Sequence, residues 1–394
     1  MSTATSLRSA MPGVSFDVTD EQRAFRELVM NFAKRELSGR GLEYDANGFF
    51  TRRTWRKCAE LGIQGLLMPS DFGGSAADVM TYIVAMETLG YACRDNGLLF
   101  SLNAQILSCQ HPILTFGSDE QKRRYLPGLC SGELVAAHAM SEPGSGSDAF
   151  SLSTMAVRDG DQYVLNGSKT FITNAPIADL FLVFASVDRS KGWGGLCAFL
   201  VERNSPGLVV GQPVHKMGLQ SSPMAEVFFD ECRVPATARM GKVGGGMAIF
   251  NSGMERERSL ILACAVGTMQ RNLELSISYA RERRQFGQPI GKNQSVSNRI
   301  VEMKLRLETA RLLLYKLGWM TDQGRHVALE SALVKLYLSE CFLQSSEDAL
   351  RVLGGYGYMA EYEVERDVRD AFGGILYSGT SDLQRNLAAR HLGL

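Results

Sequence analysis

One carboxylate of this chain, that of Glu257, has the sequence surroundings of a group that transfers protons. At the helical period it falls on one line with four apolar residues, which are Phe250, Met254, Ile261 and Cys264. A carboxylate in an apolar setting has a raised pKa, which suits a general acid or base. A buried glutamate paired with a distant arginine would give the same pattern, so periodicity alone leaves both interpretations open.

The charged neighbours of Glu257 fall on other faces of the same predicted helix. Glu255, Arg256 and Arg258 all lie off the apolar line. We therefore expect these three side chains to face solvent, on the polar side of the helix.

The first third of the chain, which must support this helix, is predicted to be helical as well. Thr19 is a suitable N-cap for an amphipathic helix that ends at Leu37, and a second helix is predicted over 52–61. A third helix contains Ile83, and Ser118 opens a further one with capping-box chemistry.

The pattern changes to β-rich runs near Leu134. Asn166 and Gly167 separate two such runs, which predicts a hairpin at that point. Long helices return after Gly241, and they are predicted over 245–283, 293–322, 326–353 and from Ser381 onward. We therefore divide the chain into an N-terminal helical domain over 16–133, a middle β domain over 134–240 and a C-terminal helical bundle over 241–394.

The composition of the chain limits which binding partners and which cellular location we expect for the protein. Basic and acidic residues are balanced at 42 each, which argues against nucleic acid or an anionic membrane as a partner. The eight cysteines and five histidines show no metal-ligand spacing, so we expect reduced thiols, no metal site and a cytoplasmic protein. No apolar run reaches the roughly 18 residues of a membrane span. Residues 1–12 lack the apolar core of a signal peptide and are expected to form a flexible tail.

Three glycine-rich or basic segments could bind phosphate. The GxGxxA pattern that begins at Gly355 follows a helix and lies outside a βαβ unit, so it is not a dinucleotide fingerprint. The segment SEPGSGSD over 141–148 is either a ligand-binding loop at the domain junction or a flexible linker. The segment RERRQFGQPIG over 281–291 is explained by an ordinary helix end, although its arginines would also suit a diphosphate.

Five segments in this order, SEPGSGSD, NGSKTFITNA, RERRQFGQPIGKNQ, LGGYGY and RDAFGGILYSGTSDLQ, make the chain resemble the acyl-CoA dehydrogenase family. The resemblance covers nearly the whole chain. It implies an α+β fold with an N-terminal helical domain, a middle β-barrel or sandwich domain and a C-terminal four-helix bundle. It also implies a homotetramer, non-covalent FAD and a thioester substrate.

The resemblance also implies which residues contact FAD. Phe171 stands where many relatives have Trp, Arg351 replaces a common Gln before LGG, and Asp382 replaces a common Gln after GTS, so these three contacts depart from the family pattern. Arg283, Phe286 and Gln294 match contacts that a neighbouring subunit makes. The full set of FAD residues is Met140, Ser141, Ser147, Phe171, Ile172, Thr173, Arg283, Phe286, Gln294, Arg351, Gly354, Gly355, Thr380 and Asp382.

Ser378 is the most informative departure from the family pattern. Many relatives have at this position the glutamate that removes the α-proton of the substrate, and a serine hydroxyl cannot replace it as a base. Some relatives carry the base on the long helix instead, just before an arginine, which is where Glu257 and Arg258 stand. The resemblance thus implies Glu257 as the catalytic base and a substrate site formed by Ser147, Glu255, Arg258, Tyr377, Ser378 and Gly379.

Within the family, the segments FITNAPIADLF, QSVSNRIVEMKLRLE and SGTSDLQ resemble carrier-protein-linked dehydrogenases of the prolyl type, whereas GGYGYMAEYEVERDVRDA is nearer the ordinary acyl-CoA enzymes. This resemblance implies α,β-dehydrogenation of an aminoacyl thioester in natural-product biosynthesis. A short- or branched-chain acyl-CoA dehydrogenase is the first alternative, and a flavin monooxygenase or an inactive scaffold on the same fold are further ones. The sequence leaves open whether the thioester is on CoA or a carrier protein, and whether electrons pass to a flavoprotein or to O₂.

Overall fold

The computed structural model describes residues 18–37 and 48–394, so the tail expected over residues 1–12 and the domain start at residue 16 lie outside it. Helices form the first part of the chain. Thr19 and Ser118 are the N-caps of two of them, as predicted, and both form a capping box, which the sequence analysis expected only at Ser118. The helices are α1 (Asp20–Phe32), α2 (Arg52–Glu60), α3 (Val79–Ala92), α4 (Asn96–Gln105), α5 (His111–Phe116) and α6 (Asp119–Cys130). Turns of π-helix follow α1 at Ala33–Leu37 and α4 at Ile106–Gln110.

The middle part of the chain is a mixed β-sheet. Its strands are β1 (Ala136–Ala139), β2 (Met155–Asp159), β3 (Gln162–Thr173), β4 (Leu180–Ser186), β5 (Leu196–Glu202), β6 (Leu208–Val210), β7 (Met224–Pro235) and β8 (Arg239–Met240). Seven strands follow the order β6-β7-β3-β2-β4-β5-β8, and β1 pairs in parallel with β4. Successive residues of β4 enter hydrophobic clusters on opposite faces of the sheet. Burial on both faces explains why the sequence of β4 is almost continuously apolar.

The hairpin predicted at Asn166 and Gly167 is wrong. Both residues lie inside β3, where the register against β7 shifts between Leu165 and Gly167, as in a β-bulge. Gly167 has φ 148°, and a Cβ there would lie 2.6–2.8 Å from atoms of Thr154, so only glycine fits. The chain turns at Gly160 instead, between β2 and β3.

Helices return in the last part of the chain, as predicted. They are α7 (Gly246–Leu260), α8 (Ala263–Glu282), α9 (Gln294–Asp322), α10 (Ala328–Leu353), α11 (Val364–Gly374) and α12 (Ser381–His391), with the short strands β9 (Arg284–Gln285) and β10 (Gln288–Pro289) between α8 and α9. α8, α9 and α10 pack on one another, and α7, α11 and α12 pack on α10. α3 packs on α8, so the two helical parts share one hydrophobic core. The helical, β, helical order of the fold is confirmed.

Two predictions for this last part need correction. The single helix predicted over 245–283 is interrupted after Leu260, where Leu262 has non-helical backbone angles (φ −99°, ψ 10°). Neither Gly nor Pro marks the break, so the sequence pattern does not reveal it. The pattern also does not predict α11, although this helix forms part of the cavity described below.

Two further observations concern the cysteines and the hydrophobicity of the helices. All eight cysteines lie within the described residues, and all are buried and free of disulfides. Within residues 18–37 and 48–394, no helix has both the length and the apolar character that crossing a membrane requires.

Candidate active site

A cavity of about 1270 Å³ lies where the sheet meets both helical parts. Its walls come from α4 and the π-turn after it, the loop 141–148, β3, the loop 216–219, α7, α11 and the turn after α11. Thirteen of the residues predicted from the sequence line it, namely Met140, Ser141, Ser147, Phe171, Ile172, Thr173, Glu255, Glu257, Arg258, Tyr377, Ser378, Gly379 and Thr380. The cavity is large enough for a cofactor together with part of a substrate.

Glu257 lies in the wall of this cavity, with a side chain that is 8% exposed. Its carboxylate accepts one hydrogen bond from the Ser108 hydroxyl and one from the Ser378 hydroxyl. Burial raises the pKa of Glu257, while these two hydrogen bonds and the charges of Arg258 and Lys335 act in the opposite direction. The sequence left open that Glu257 is a buried residue paired with a distant arginine. In the structure, the hydrogen bonds to its carboxylate come from two serines instead.

The sequence analysis did not predict a role for Ser108. It lies in the π-helical turn Ile106–Gln110, between Leu107 and Cys109, and its side chain is buried. Turns of π-helix often occur at functional sites, but no residue type in a sequence predicts one.

The expectation that Glu255, Arg256 and Arg258 face solvent is wrong. Glu255 and Arg258 line the cavity, and none of the three side chains is fully exposed. Burial lowers the pKa of both Arg256 and Arg258. The Nε atom of Arg258 is buried and has no hydrogen-bond partner among the described residues. The polar side of α7 therefore faces a cavity and neighbouring helices, which a single helix's periodicity cannot distinguish from solvent.

The segment over 141–148 is a braced loop and not a flexible linker. Glu142 and Ser145 exchange two backbone hydrogen bonds of 3.0 Å, which close a tight turn. The side chain of Glu142 forms an ion pair of 2.8 Å with Lys169 of β3, and neither side chain is more than 1% exposed. Burial opposes ionisation of Glu142, but Lys169 and hydrogen bonds from Ser153 and Thr154 lower its pKa to about 2. This buried pair fixes the loop against the sheet.

Phe171 presents an exposed aromatic ring in the cavity wall. It lies at a second irregularity of β3, between Lys169 and Ile172, and its backbone has φ 57°. A bulky residue in the left-handed region is a conformational outlier, and such strain concentrates at ligand sites. With 70% of its surface exposed, the ring of Phe171 is available to pack against a bound group.

The remaining predicted residues lie away from this cavity. Arg283, Gly354 and Gly355 line a separate depression of about 440 Å³, where Arg283 stacks 5.6 Å from the centroid of the Tyr356 ring. Phe286 is almost fully exposed. Arg351, Gln294 and Asp382 line neither cavity. A single chain therefore does not bring these seven residues together with Glu257.

His138 also lines the cavity without having been singled out by the sequence. Burial lowers its pKa to about 4, and the nearby Lys169 acts in the same direction. Its ring packs between Phe184 and Phe250, with centroids 5.3 and 6.1 Å away. It is therefore neutral at physiological pH and part of an aromatic wall. No group of three or more His, Cys, Asp or Glu side chains in the described ranges could hold a metal ion.

Comparisons with known proteins agree with this architecture. Acyl-CoA dehydrogenase domain models match residues 19–133 (N-terminal domain), 137–232 (middle domain) and 244–393 (C-terminal domain). An L-prolyl-[peptidyl-carrier protein] dehydrogenase of Pseudomonas fluorescens is 42% identical over 382 residues, which cover 97% of this chain and 100% of the relative.

Two solved structures are similar along almost their whole lengths. The prolyl acyl carrier protein oxidase AnaB superposes with a TM-score of 0.93 at 47% identity, covering 96% of this chain and 100% of that one. The structure of PigA with FAD and proline gives a TM-score of 0.94 at 38% identity, covering 96% and 99%. This chain therefore belongs to the acyl-CoA dehydrogenase family.

Proposed function

We propose that the protein is an FAD-dependent dehydrogenase that oxidises an aminoacyl thioester, of the prolyl type, attached to a carrier protein in natural-product biosynthesis. Support comes from the Pseudomonas fluorescens relative, which is named for that reaction, and from PigA, which was solved with FAD and proline. The observation that carries the proposal is the buried, cavity-facing carboxylate of Glu257, held by Ser108 and Ser378.

Glu257 is proposed to remove the proton from the α-carbon of the thioester. Burial destabilises its charged form, which makes the carboxylate a stronger base than a solvated one. The hydroxyls of Ser108 and Ser378 and the charges of Arg258 and Lys335 act against the effect of burial on this pKa and favour the ionised form of Glu257. The walls around it include apolar side chains such as Phe100 and Met254, so a bound substrate would exclude water from the base.

The turn after α11 is proposed to bind the thioester carbonyl. The N–H groups of Ser378 and Gly379 have no hydrogen-bond acceptor among the described residues. Two such donors can stabilise the negative charge that develops on a carbonyl oxygen as the α-proton leaves. Tyr377, packed 4.6 Å from Phe100 ring to ring, fixes the beginning of this turn. Ser147, Glu255 and Arg258 complete the proposed substrate residues.

The residues of the cavity fit FAD as cofactor. Phe171 offers an exposed ring to a flat aromatic group, and Met140, Ser141, Ser147, Ile172, Thr173 and Thr380 lie in the same cavity. When bound, FAD would supply the two-electron acceptor for the hydride that leaves with the proton. The other proposed contacts, Arg283, Phe286, Gln294, Arg351, Gly354, Gly355 and Asp382, lie outside the cavity, so a neighbouring copy of the chain is the proposed source of the first three. A homotetramer would provide that copy.

We also propose the domain bounds 16–133, 134–240 and 241–394, a cytoplasmic location, and either an electron-transferring flavoprotein or O₂ as the final electron acceptor. These proposals extend the family assignment.

Replacing Glu257 by Gln tests the proposed reaction. Glu257→Gln keeps the shape of the side chain but removes the base, so turnover should fall by roughly 10²-fold or more while the protein stays yellow. Glu87→Gln is the matched control, since Glu87 is also 8% exposed but belongs to the helical core and lies outside the cavity. The assay is anaerobic bleaching of bound FAD by prolyl carrier protein, prolyl-CoA and butyryl-CoA.

Near-normal bleaching by the Glu257→Gln variant would rule out this base. Bleaching of the wild type by butyryl-CoA alone would replace the proposal with a short-chain acyl-CoA dehydrogenase. A hydroxylated product in the presence of O₂ would identify a monooxygenase, and a colourless protein that binds no flavin would identify a scaffold.

A further inference from the structure

Lys335 is a buried cation beside the proposed active site, but it does not line the cavity. Its side chain, on α10, is 0% exposed. The ammonium donates a 2.6 Å hydrogen bond to the carbonyl oxygen of Gly379 and lies 5.9 Å from the centroid of the Tyr377 ring. Burial lowers the pKa of Lys335 to about 8, and the charge of Glu257 opposes that shift. Because an uncompensated buried charge is costly, its contacts indicate what it does.

The turn that Lys335 contacts is conformationally strained. Ser378 and Gly379 have φ 55° and 87°, two successive residues in the left-handed region, where a serine is unfavourable. Side chains from outside the turn hold both carbonyl groups. Gln384 donates to the oxygens of Ser378 and Gly379 at 3.0 and 3.1 Å, and Lys335 donates to that of Gly379. Strain of this kind persists where the surroundings fix the conformation, and here it brings the Ser378 hydroxyl to Glu257.

The titratable groups that act on Glu257 come from each side of its carboxylate. Burial raises the pKa of the Cys109 thiol and of the Tyr377 hydroxyl, so both are neutral. The cations that lower the pKa of Glu257 are Arg258 and Lys335. Arg258 lines the cavity, and the charge of Glu255 acts on it as well as that of Glu257. Lys335 lies behind the cavity wall, and among the described residues Glu340 on its own helix is the second acidic group that acts on its pKa.

We propose that Lys335 is a positioning residue for the reaction proposed above, on which this inference rests. Its ammonium holds the Gly379 carbonyl, and with it the turn that directs Ser378 to Glu257. The ammonium also supplies a buried positive charge that stabilises the Glu257 carboxylate. The residue acts through Gly379, Ser378 and the field at Glu257, without touching the substrate.

Lys335→Met and Lys335→Gln separate the two effects. The Met variant removes both the charge and the hydrogen bond, so the acid limb of kcat/KM should move to higher pH and the plateau of kcat should fall about tenfold or more. The Gln variant retains a donor for Gly379 but no charge, so it should recover part of the plateau and keep the shifted limb. KM should change little in both variants, because Lys335 does not line the cavity.

Arg311→Met is the control for general damage. Arg311 is a mostly buried cation of the helical core that pairs with Glu87 and lies outside the cavity, so its loss should leave the acid limb in place. A lowered plateau with an unmoved acid limb in both Lys335 variants would overturn the proposal, since that result is what mere structural damage gives. If Lys335→Met does not fold, the position of the acid limb of kcat/KM in Lys335→Gln alone tests the proposal.

A measurement without substrate makes this test independent of the proposed reaction. Infrared difference titration can follow the protonated carboxyl band that disappears in Glu257→Gln. In Lys335→Met and Lys335→Gln the midpoint of that band should move to higher pH than in the wild type. An unmoved midpoint refutes the charge effect of Lys335 whatever the substrate is. If the midpoint moves but the protein oxidises none of the thioesters, the charge effect of Lys335 on Glu257 is supported and the proposed function is refuted.

Discussion

The buried ion pair between Lys169 and Glu142 gives a prediction whose size follows from the structure. Lys169→Met removes the cation but leaves the Glu142 carboxylate in a site where it is 1% exposed. Removing one partner of such a pair costs about 3–5 kcal/mol in the free energy of unfolding, because the remaining charge is uncompensated. We therefore expect a loss of that size at neutral pH, together with weaker retention of flavin because the loop 141–148 loses its anchor.

The assay is chemical denaturation of the wild type, the single variant and two comparisons. Arg233→Met removes a cation from an equally short pair on the same sheet, that with Asp159 at 2.8 Å, but the two side chains are 48% and 62% exposed. An exposed pair contributes at most about 1 kcal/mol. The double variant Lys169→Met with Glu142→Gln removes both charges and should recover most of the loss. A loss in Lys169→Met no larger than that in Arg233→Met would refute the reasoning.

The pH dependence provides a second check. Lys169 and the hydrogen bonds hold the pKa of Glu142 at about 2, below its ordinary value of 4.5, so the wild type has this stability above pH 4.5 and loses it as pH falls toward 2. In Lys169→Met the effect of burial dominates and protonation relieves the unpaired charge. Because burial places the pKa of Glu142 in the variant above 4.5, the difference in unfolding free energy between the two proteins should be largest near neutral pH, begin to shrink before pH 4.5 is reached and continue to shrink toward pH 2.

Two further predictions concern the cavity. Ser378→Ala removes a hydrogen bond that lowers the pKa of Glu257, so the acid limb of kcat/KM should move to higher pH, and an unchanged pH profile would contradict the assigned contact. Phe171→Ala should weaken FAD binding, measured by flavin release on dialysis, while the unfolding free energy of the flavin-free protein changes by less than about 1 kcal/mol, because the ring is 70% exposed. A large loss of stability without flavin would show that the ring has a structural role instead.

The order of helical and β parts could be predicted from the sequence, because caps and periodicities are local. Thr19 and Ser118 begin their helices as expected, and on the apolar line through Glu257 three residues are buried while Phe250 is partly buried. The line nevertheless crosses the interruption after Leu260, which is set by packing between helices and not by a helix-breaking residue. Asn166 and Gly167 likewise have the residue types of a hairpin, but pairing with β7 keeps β3 continuous through them.

The partners of the site residues could not be predicted, since they are distant in the chain. Ser108 and Ser378 lie 149 and 121 positions from Glu257. Lys169 stands in the polar segment NGSKT and Lys335 in the apolar segment ALVKLYL, and neither position in the sequence indicates that a carboxylate or a carbonyl compensates the charge. The family resemblance identified Glu257 and the turn at Ser378, whereas the groups that hold them required three-dimensional packing.

The reaction rates of the buried cysteines report how often each part of the protein opens locally. Thiolates react and thiols do not, and burial raises the pKa of Cys93, Cys130, Cys232 and Cys264 to between about 11 and 12. Cys58 and Cys130 lie in the first helical part, Cys197 and Cys232 in or beside the sheet's core, and Cys264 and Cys341 in the last helices. The alkylation rate of each cysteine, measured on separate peptides, would therefore give the rate of local opening of each part, and no reporter group has to be introduced by mutation.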